Sequence, residues 1–144
     1  MTDQIIKKAE EFCEAYKYRL TEPRLQVLKI IVSAPQPQGA YDILHELGKV
    51  IKSPKPPTVY RAIEFWQEHN FIHRIESMNA YVACEAGHRH KGSQFMICDD
   101  CGDVQETHLC DLPSPLKNST EENTFKPKRW NFEIHGTCEK CDDA

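Results

Sequence analysis

The chain has 144 residues, of which 40% are hydrophobic and 28% charged, with a formal net charge of −4, the balance of an ordinary soluble protein with room for one domain or two small ones. No apolar run approaches the length of a membrane helix, and the opening MTDQIIKKAEE is no secretion signal, so neither a membrane role nor export is expected. Seven cysteines without such a signal point to a cytoplasmic protein whose thiols bind metal rather than pair as disulfides. The charge is uneven: residues 1–77 carry 11 Lys/Arg against 10 Asp/Glu, and residues 78–144 carry 7 against 12. The acidic excess falls in the cysteine-rich half, which leaves the first half able to present a locally basic face.

Ile5, Ala9, Phe12 and Tyr16 recur at helical spacing and predict a first helix over residues 4–17. Arg19-Leu20-Thr21-Glu22-Pro23-Arg24 breaks the chain and restarts it, with Thr21 as N-cap and proline in the first turn. Leu25, Leu28, Ile31 and Val32 form the inner stripe of the second helix; Pro35–Gly39 reads as a loop; Tyr41–Leu47 is a short third helix with Ile43, Leu44 and Leu47 inward. After Ser53-Pro54-Lys55-Pro56-Pro57, Thr58 is the expected cap of a fourth helix whose inner face is Val59, Ala62, Ile63 and Trp66. Tyr60, Arg61, Glu64 and Gln67 then face outward. A Tyr-Arg pair in the first helical turn suits a major-groove reader, since helix N-termini favour phosphate and arginine can bind guanine bidentately; a merely solvated face is the alternative. Phe71–Glu76 and Ala80–Cys84 read as strands across a Ser77-Met78-Asn79 turn. Helices followed by a two-stranded hairpin follow the winged-helix plan, a variant of helix-turn-helix.

Past a loop at Gly87–Gly92, strands are expected at Phe95–Cys98, Asp103–His108 and Trp130–Gly136, with a short helix from Leu116 onward in the apolar-poor stretch Leu112–Phe125. The fold class is therefore α+β, divided into residues 1–80 and 81–144. Two Cys-x-x-Cys knuckles, Cys98/Cys101 and Cys138/Cys141, lie in the second part. Each can grip one metal ion from a tight turn, and together they complete a tetrahedron of thiolates, a donor set that suits zinc. The intervening residues 102–137 exceed the commonest zinc-ribbon spacing, so one or two strands must be inserted there. Buried thiols or a redox pair are the competing reading. A second set is conceivable: Cys84 at a strand end, His73 on the partner strand, the loop histidines His88 and His90, and Glu106. A mixed His/Cys/Glu set again suits zinc and disfavours hard cations, although these histidines could equally be solvated surface groups. Cys13 reads as a buried thiol.

The strings Lys55-Pro56-Pro57-Thr58-Val59-Tyr60-Arg61-Ala62, Arg19-Leu20-Thr21 with Arg24, Ala40-Tyr41-Asp42-Ile43-Leu44 and Phe71–Ser77 carry a resemblance, as do Asn79–Cys84, Phe95–Gly102 and His135–Cys141. Over nearly its whole length the chain resembles the ferric uptake regulator superfamily, and within it the zinc-sensing branch. The resemblance implies an N-terminal winged-helix DNA-binding domain, a small C-terminal α/β dimerisation domain stapled by a four-cysteine zinc site, and a homodimer that binds a palindromic double-stranded operator when loaded with metal. It implies Cys98, Cys101, Cys138 and Cys141 as structural ligands and His73, Cys84, His90 and Glu106 as regulatory ligands, hence two zinc ions per chain. His90 fits the expected spacing better than His88. Tyr41, Tyr60 and Arg61 fall at DNA-contacting positions and Arg24 at a phosphate contact.

The resulting expectation is a cytoplasmic, zinc-responsive repressor of zinc uptake genes, with no enzymatic activity, membrane association or small-molecule substrate. Within the same family, a sensor of another metal or of peroxide is the alternative. From another class, a zinc hydrolase would need an open metal position and a general base, but the His-x-Glu and His-Glu-x-x-His signatures are absent.

Overall fold

The computed structural model describes residues 2–84 and 92–142. The chain divides into two compact units, Met1–Gly87 and His88–Ala144. No helix among the described residues is long and apolar enough to cross a membrane.

The first unit opens with α1 (Thr2–Ala15). Its buried stripe is Ile5, Ile6, Ala9 and Cys13; Phe12 is half-buried and Tyr16 exposed. The stripe expected to run through Tyr16 stops short because the helix does. Lys17 adopts a left-handed φ of 59°, and the amides of Tyr18 and Lys17 donate back to the carbonyls of Cys13 and Glu14 at 2.8 and 3.3 Å, the Schellman pattern that satisfies the last turn and redirects the chain. Helix α2 (Glu22–Ser33) starts where expected, with Thr21 Oγ1 accepting the Arg24 amide and proline in the first turn. Val27, Leu28 and Ile31 are its buried residues, whereas Leu25 and Val32 reach the core only in part.

Gln38–Gly39, expected as loop, forms the two-residue strand β1, and Ala40–Leu47 is α3. Asp42 Oδ2 accepts the Gly39 amide at 3.1 Å and so caps α3. Helix α4 (Pro56–Glu68) begins ahead of Thr58, the expected cap: Lys55 occupies the cap position, with proline in the first two helical positions. The amide hydrogens those prolines lack are among those a first turn leaves unpaired anyway. Val59, Ala62, Ile63 and Trp66 are buried as expected, and Phe65 joins them. Strands β2 (Ile72–Ile75) and β3 (Ala80–Ala83) form the hairpin, and the Arg74 guanidinium donates to Asn79 Oδ1 at 3.2 and 3.0 Å across its turn. The sheet order is β1-β3-β2, antiparallel throughout, with Gln38 opposite Tyr81. Strand β3 is thus hydrogen-bonded on both sides within this unit, which carries the unit past residue 80. Trp66, Leu28, Ile43, Leu47, Ile63 and Ile72 are fully buried between helices and hairpin.

In the second unit β4 (Gly92–Cys98) and β5 (Val104–His108) are antiparallel, α5 (Ser114–Glu122) follows, and β6 (Trp130–Gly136) pairs parallel to β4. The strand order is β5-β4-β6. A strand, a helix and a second strand therefore lie between the knuckles, the elements expected there. The helix begins at Ser114, ahead of Leu116, with proline early in its first turn, and buries none of its residues. Gly92 pairs with Trp130, and a Cβ at Gly92 would fall within the Trp130 indole. That indole is held by its Nε1–H, which donates to the Leu109 carbonyl at 2.8 Å.

Candidate functional site

The parallel register of β4 and β6 sets Cys98 opposite Gly136, two residues before Cys138. Two contacts extend the pairing beyond the strands: the Asp99 amide donates to the Gly136 carbonyl at 2.8 Å, and the Cys138 amide donates to Cys98 Sγ at 3.3 Å. The first knuckle turns tightly, with Gly102 at φ 77° and its amide bonded to the Cys98 carbonyl at 2.9 Å. The second closes through the amides of Cys141 and Asp142 on the Cys138 carbonyl, both at 3.0 Å. All four sulfur atoms consequently lie within 4.8 Å of one another, with Cys101 and Cys138 at 3.7 Å. A regular tetrahedron with metal–sulfur bonds near 2.3 Å has sulfur–sulfur edges of about 3.8 Å, so the constellation fits one zinc ion.

The electrostatics agree. The amides of Cys101 and Cys138 hydrogen-bond the Cys98 sulfur and lower its pKa to about 6. Hydrogen bonding with the thiols of Cys138 and Cys101, joined by desolvation, pushes Cys141 up to about 12. Several thiolates cannot share so small a volume without a cation, whereas a zinc ion would draw the protons off all four.

The regulatory candidates are distributed over both units. In the first, His73 lies on β2 and is half-buried, and Cys84 follows β3 and is buried. The Cys84 amide donates to the Phe71 carbonyl at 2.8 Å, and a ring nitrogen of His73 and the Cys84 sulfur lie within 4.8 Å of each other. In the second, Glu106 lies on β5 with its side chain only 13% exposed. Ser93 Oγ donates to Glu106 Oε1 at 3.2 Å, and His108 Nδ1 stands 3.7 Å from the same oxygen. Neither Ser93 nor His108 was singled out from the sequence, although the i, i+2 spacing of Glu106 and His108 on a strand was a usable signal. His88 and His90 lie outside the described residues.

The residues expected to meet DNA fall on helices of the first unit. Tyr41, in the first turn of α3, is 83% exposed; Tyr60 is 49% exposed, and Arg61 is exposed on α4. Arg24 differs. It is half-buried, its Nη1 donates to the Arg19 carbonyl at 2.7 Å, and its guanidinium lies 4.0 Å over the Phe65 ring. Its own carbonyl accepts Trp66 Nε1–H at 2.7 Å. Arg24 therefore joins α2 to α4, a structural role the sequence reading did not include. Phe65 belongs in turn to an aromatic group with Tyr18 and His69, centroids 4.8–5.5 Å apart.

Residues 15–135 match the profile of the Ferric uptake regulator family. The zinc uptake regulation protein of Escherichia coli (strain K12) is 34% identical over 142 residues, covering 97% of this chain and 82% of that protein. Among solved structures, a zinc uptake regulator complexed with zinc and DNA superposes with a TM-score of 0.89 at 34% identity, covering 98% of this chain and 95% of that one. Holo XcZur gives a TM-score of 0.84 at 35% identity, covering 98% and 99%.

Proposed function

Because the chain belongs to the ferric uptake regulator family, we propose that it is a zinc-responsive transcriptional repressor, cytoplasmic and not an enzyme, which binds palindromic operators of zinc uptake genes as a zinc-loaded homodimer. Support for DNA and zinc comes from the similarity, along almost the whole chain, to a regulator solved with both. The observation that carries zinc over another metal is Cys84, a buried thiol within 4.8 Å of His73; a soft sulfur donor suits borderline-soft zinc and disfavours hard cations.

Two zinc ions per chain are proposed. Cys98, Cys101, Cys138 and Cys141 would hold the structural one, and His73, Cys84, Glu106 and His90 the regulatory one. When bound, zinc would supply a redox-inert junction between the ligands of each set. The four cysteines tie the ends of β4 and β6 together. Occupancy of the regulatory site would be the step on which operator binding depends. Tyr41, Tyr60 and Arg61 then present a reading face at a set distance from its copy in a second subunit. Such spacing must match about one helical turn of DNA, or a multiple. Dimer formation through the second unit is supported by apolar surface there: Met96, Leu116, Phe125 and Ile134 are 37–65% exposed, and β6 is a sheet edge.

Gel-shift titration of an operator upstream of a zinc uptake gene, at buffered free zinc, tests the proposal. Binding should appear with zinc and vanish with a zinc chelator. Equal binding with iron or manganese, or its abolition by peroxide at saturating zinc, would move the protein to another sensor class.

A further inference from the structure

Ser93 is a buried polar residue, 5% exposed, on a strand whose Phe95, Ile97 and Cys98 are also buried. In the register of β4 with β5 it faces His108, and Phe95 faces Glu106. Side chains alternate along strands, so Ser93, Phe95, Glu106 and His108 share one face of the sheet. The carboxylate of Glu106 can only accept, so the Ser93 hydroxyl must donate its proton to Oε1, at 3.2 Å. His108 Nδ1 lies 3.7 Å from that same oxygen, farther than a hydrogen bond. Fixing one oxygen of a carboxylate fixes the direction in which the other points.

We propose that Ser93 and His108 are positioning residues that hold Glu106 oriented for the regulatory zinc ion. The inference rests on the reading of Glu106 as a ligand of that ion and assigns the two residues no ligand role of their own. Carboxylate ligands depend on such outer partners: loss of one typically weakens metal binding 10–100-fold. A flexible glutamate would otherwise sample several rotamers, few of which aim its oxygen at the ion.

The test compares wild type, Ser93→Ala, His108→Ala, Glu106→Ala and the two double variants with Glu106→Ala. Zinc is titrated against a chromophoric chelator, total zinc is counted by mass spectrometry, and cobalt(II) absorption reports the geometry of the regulatory site. Ser93→Ala removes a single oxygen, and His108→Ala probes the same carboxylate from the facing strand, so loss of fold in one leaves the other informative. Each single variant should keep the knuckle zinc and bind the second ion about 10–100-fold more weakly. Neither should weaken binding further in the Glu106→Ala background. Wild-type affinity in both Ser93→Ala and His108→Ala, with Glu106→Ala weakened, overturns the positioning role alone. Additional weakening by His108→Ala in the Glu106→Ala background makes His108 a ligand and overturns it too. Unchanged second-site affinity in Glu106→Ala removes the reading of Glu106 on which the inference rests.

Discussion

Replacing Arg24 with alanine removes two attachments between α2 and its surroundings. One is the hydrogen bond from Nη1 to the Arg19 carbonyl at 2.7 Å, and the other is the stacking of the guanidinium 4.0 Å over Phe65. A solvent-accessible hydrogen bond of this kind contributes about 0.5–1.5 kcal/mol, and a partly exposed cation–π contact about 0.5–1 kcal/mol. Arg24→Ala should therefore destabilise the first unit by about 1–2.5 kcal/mol, which for a unit of this size lowers its melting temperature by roughly 5–15 °C. Circular dichroism melts at fixed, buffered zinc measure this, because zinc occupancy itself shifts the apparent midpoint. In gel shifts the same variant should bind all sequences more weakly, with the salt slope reduced by about one. Arg24→Lys keeps the charge but not the planar fork, so it should recover the salt slope without the stability. Arg61→Ala is the control. Its side chain is exposed, so the melt should be unchanged while cognate affinity falls by about 1–3 kcal/mol and base choice relaxes. An Arg24→Ala protein that melts like wild type would refute the packing account and leave Arg24 as a phosphate contact only.

Three other perturbations separate the remaining parts. Cys141→Ser should lose the knuckle zinc, the fold of the second unit and the dimer together, since structural zinc binding contributes roughly 10–16 kcal/mol in small zinc peptides; a stable, zinc-free dimer on gel filtration would contradict this. Cys84→Ser should remain a folded dimer with one zinc ion per chain by mass spectrometry, yet lose most zinc-dependent operator binding; full binding at the wild-type zinc threshold would remove Cys84 from the switch. Gly92→Ala would drive a methyl group into the Trp130 indole and should cost about 1–3 kcal/mol by overpacking, read as a lower denaturation midpoint and a red-shifted tryptophan fluorescence; an unchanged midpoint would mean that the indole relocates freely.

Features governed by near neighbours were legible in the sequence. Thr21 caps α2 because its own hydroxyl reaches an amide three residues on. The inner face of α4 follows from the helical period, and each knuckle follows from its own Cys-x-x-Cys spacing, since two thiols in one tight turn point the same way whatever lies beyond. Other features depended on residues distant in the chain. Gln38–Gly39 is a strand only because β3 lies beside it, and nothing in a two-residue stretch next to proline carries that information. The knuckles meet because β6 pairs parallel to β4 in a register that sets Gly136 opposite Cys98, whereas the sequence offered the strands and helix between them but not their pairing. Arg24 reads as a surface cation until Phe65 and the Arg19 carbonyl are brought to it. Glu106 could be named as a candidate ligand from the sequence, and His108 is its i, i+2 neighbour on one strand, but the approach of Ser93 to the same carboxylate could not be read there. Ser93 reaches it from the neighbouring strand β4, whose register with β5 sets it opposite His108, and the shared sheet face, with Phe95 buried beside them, turns an i, i+2 pair on β5 into a set of three side chains.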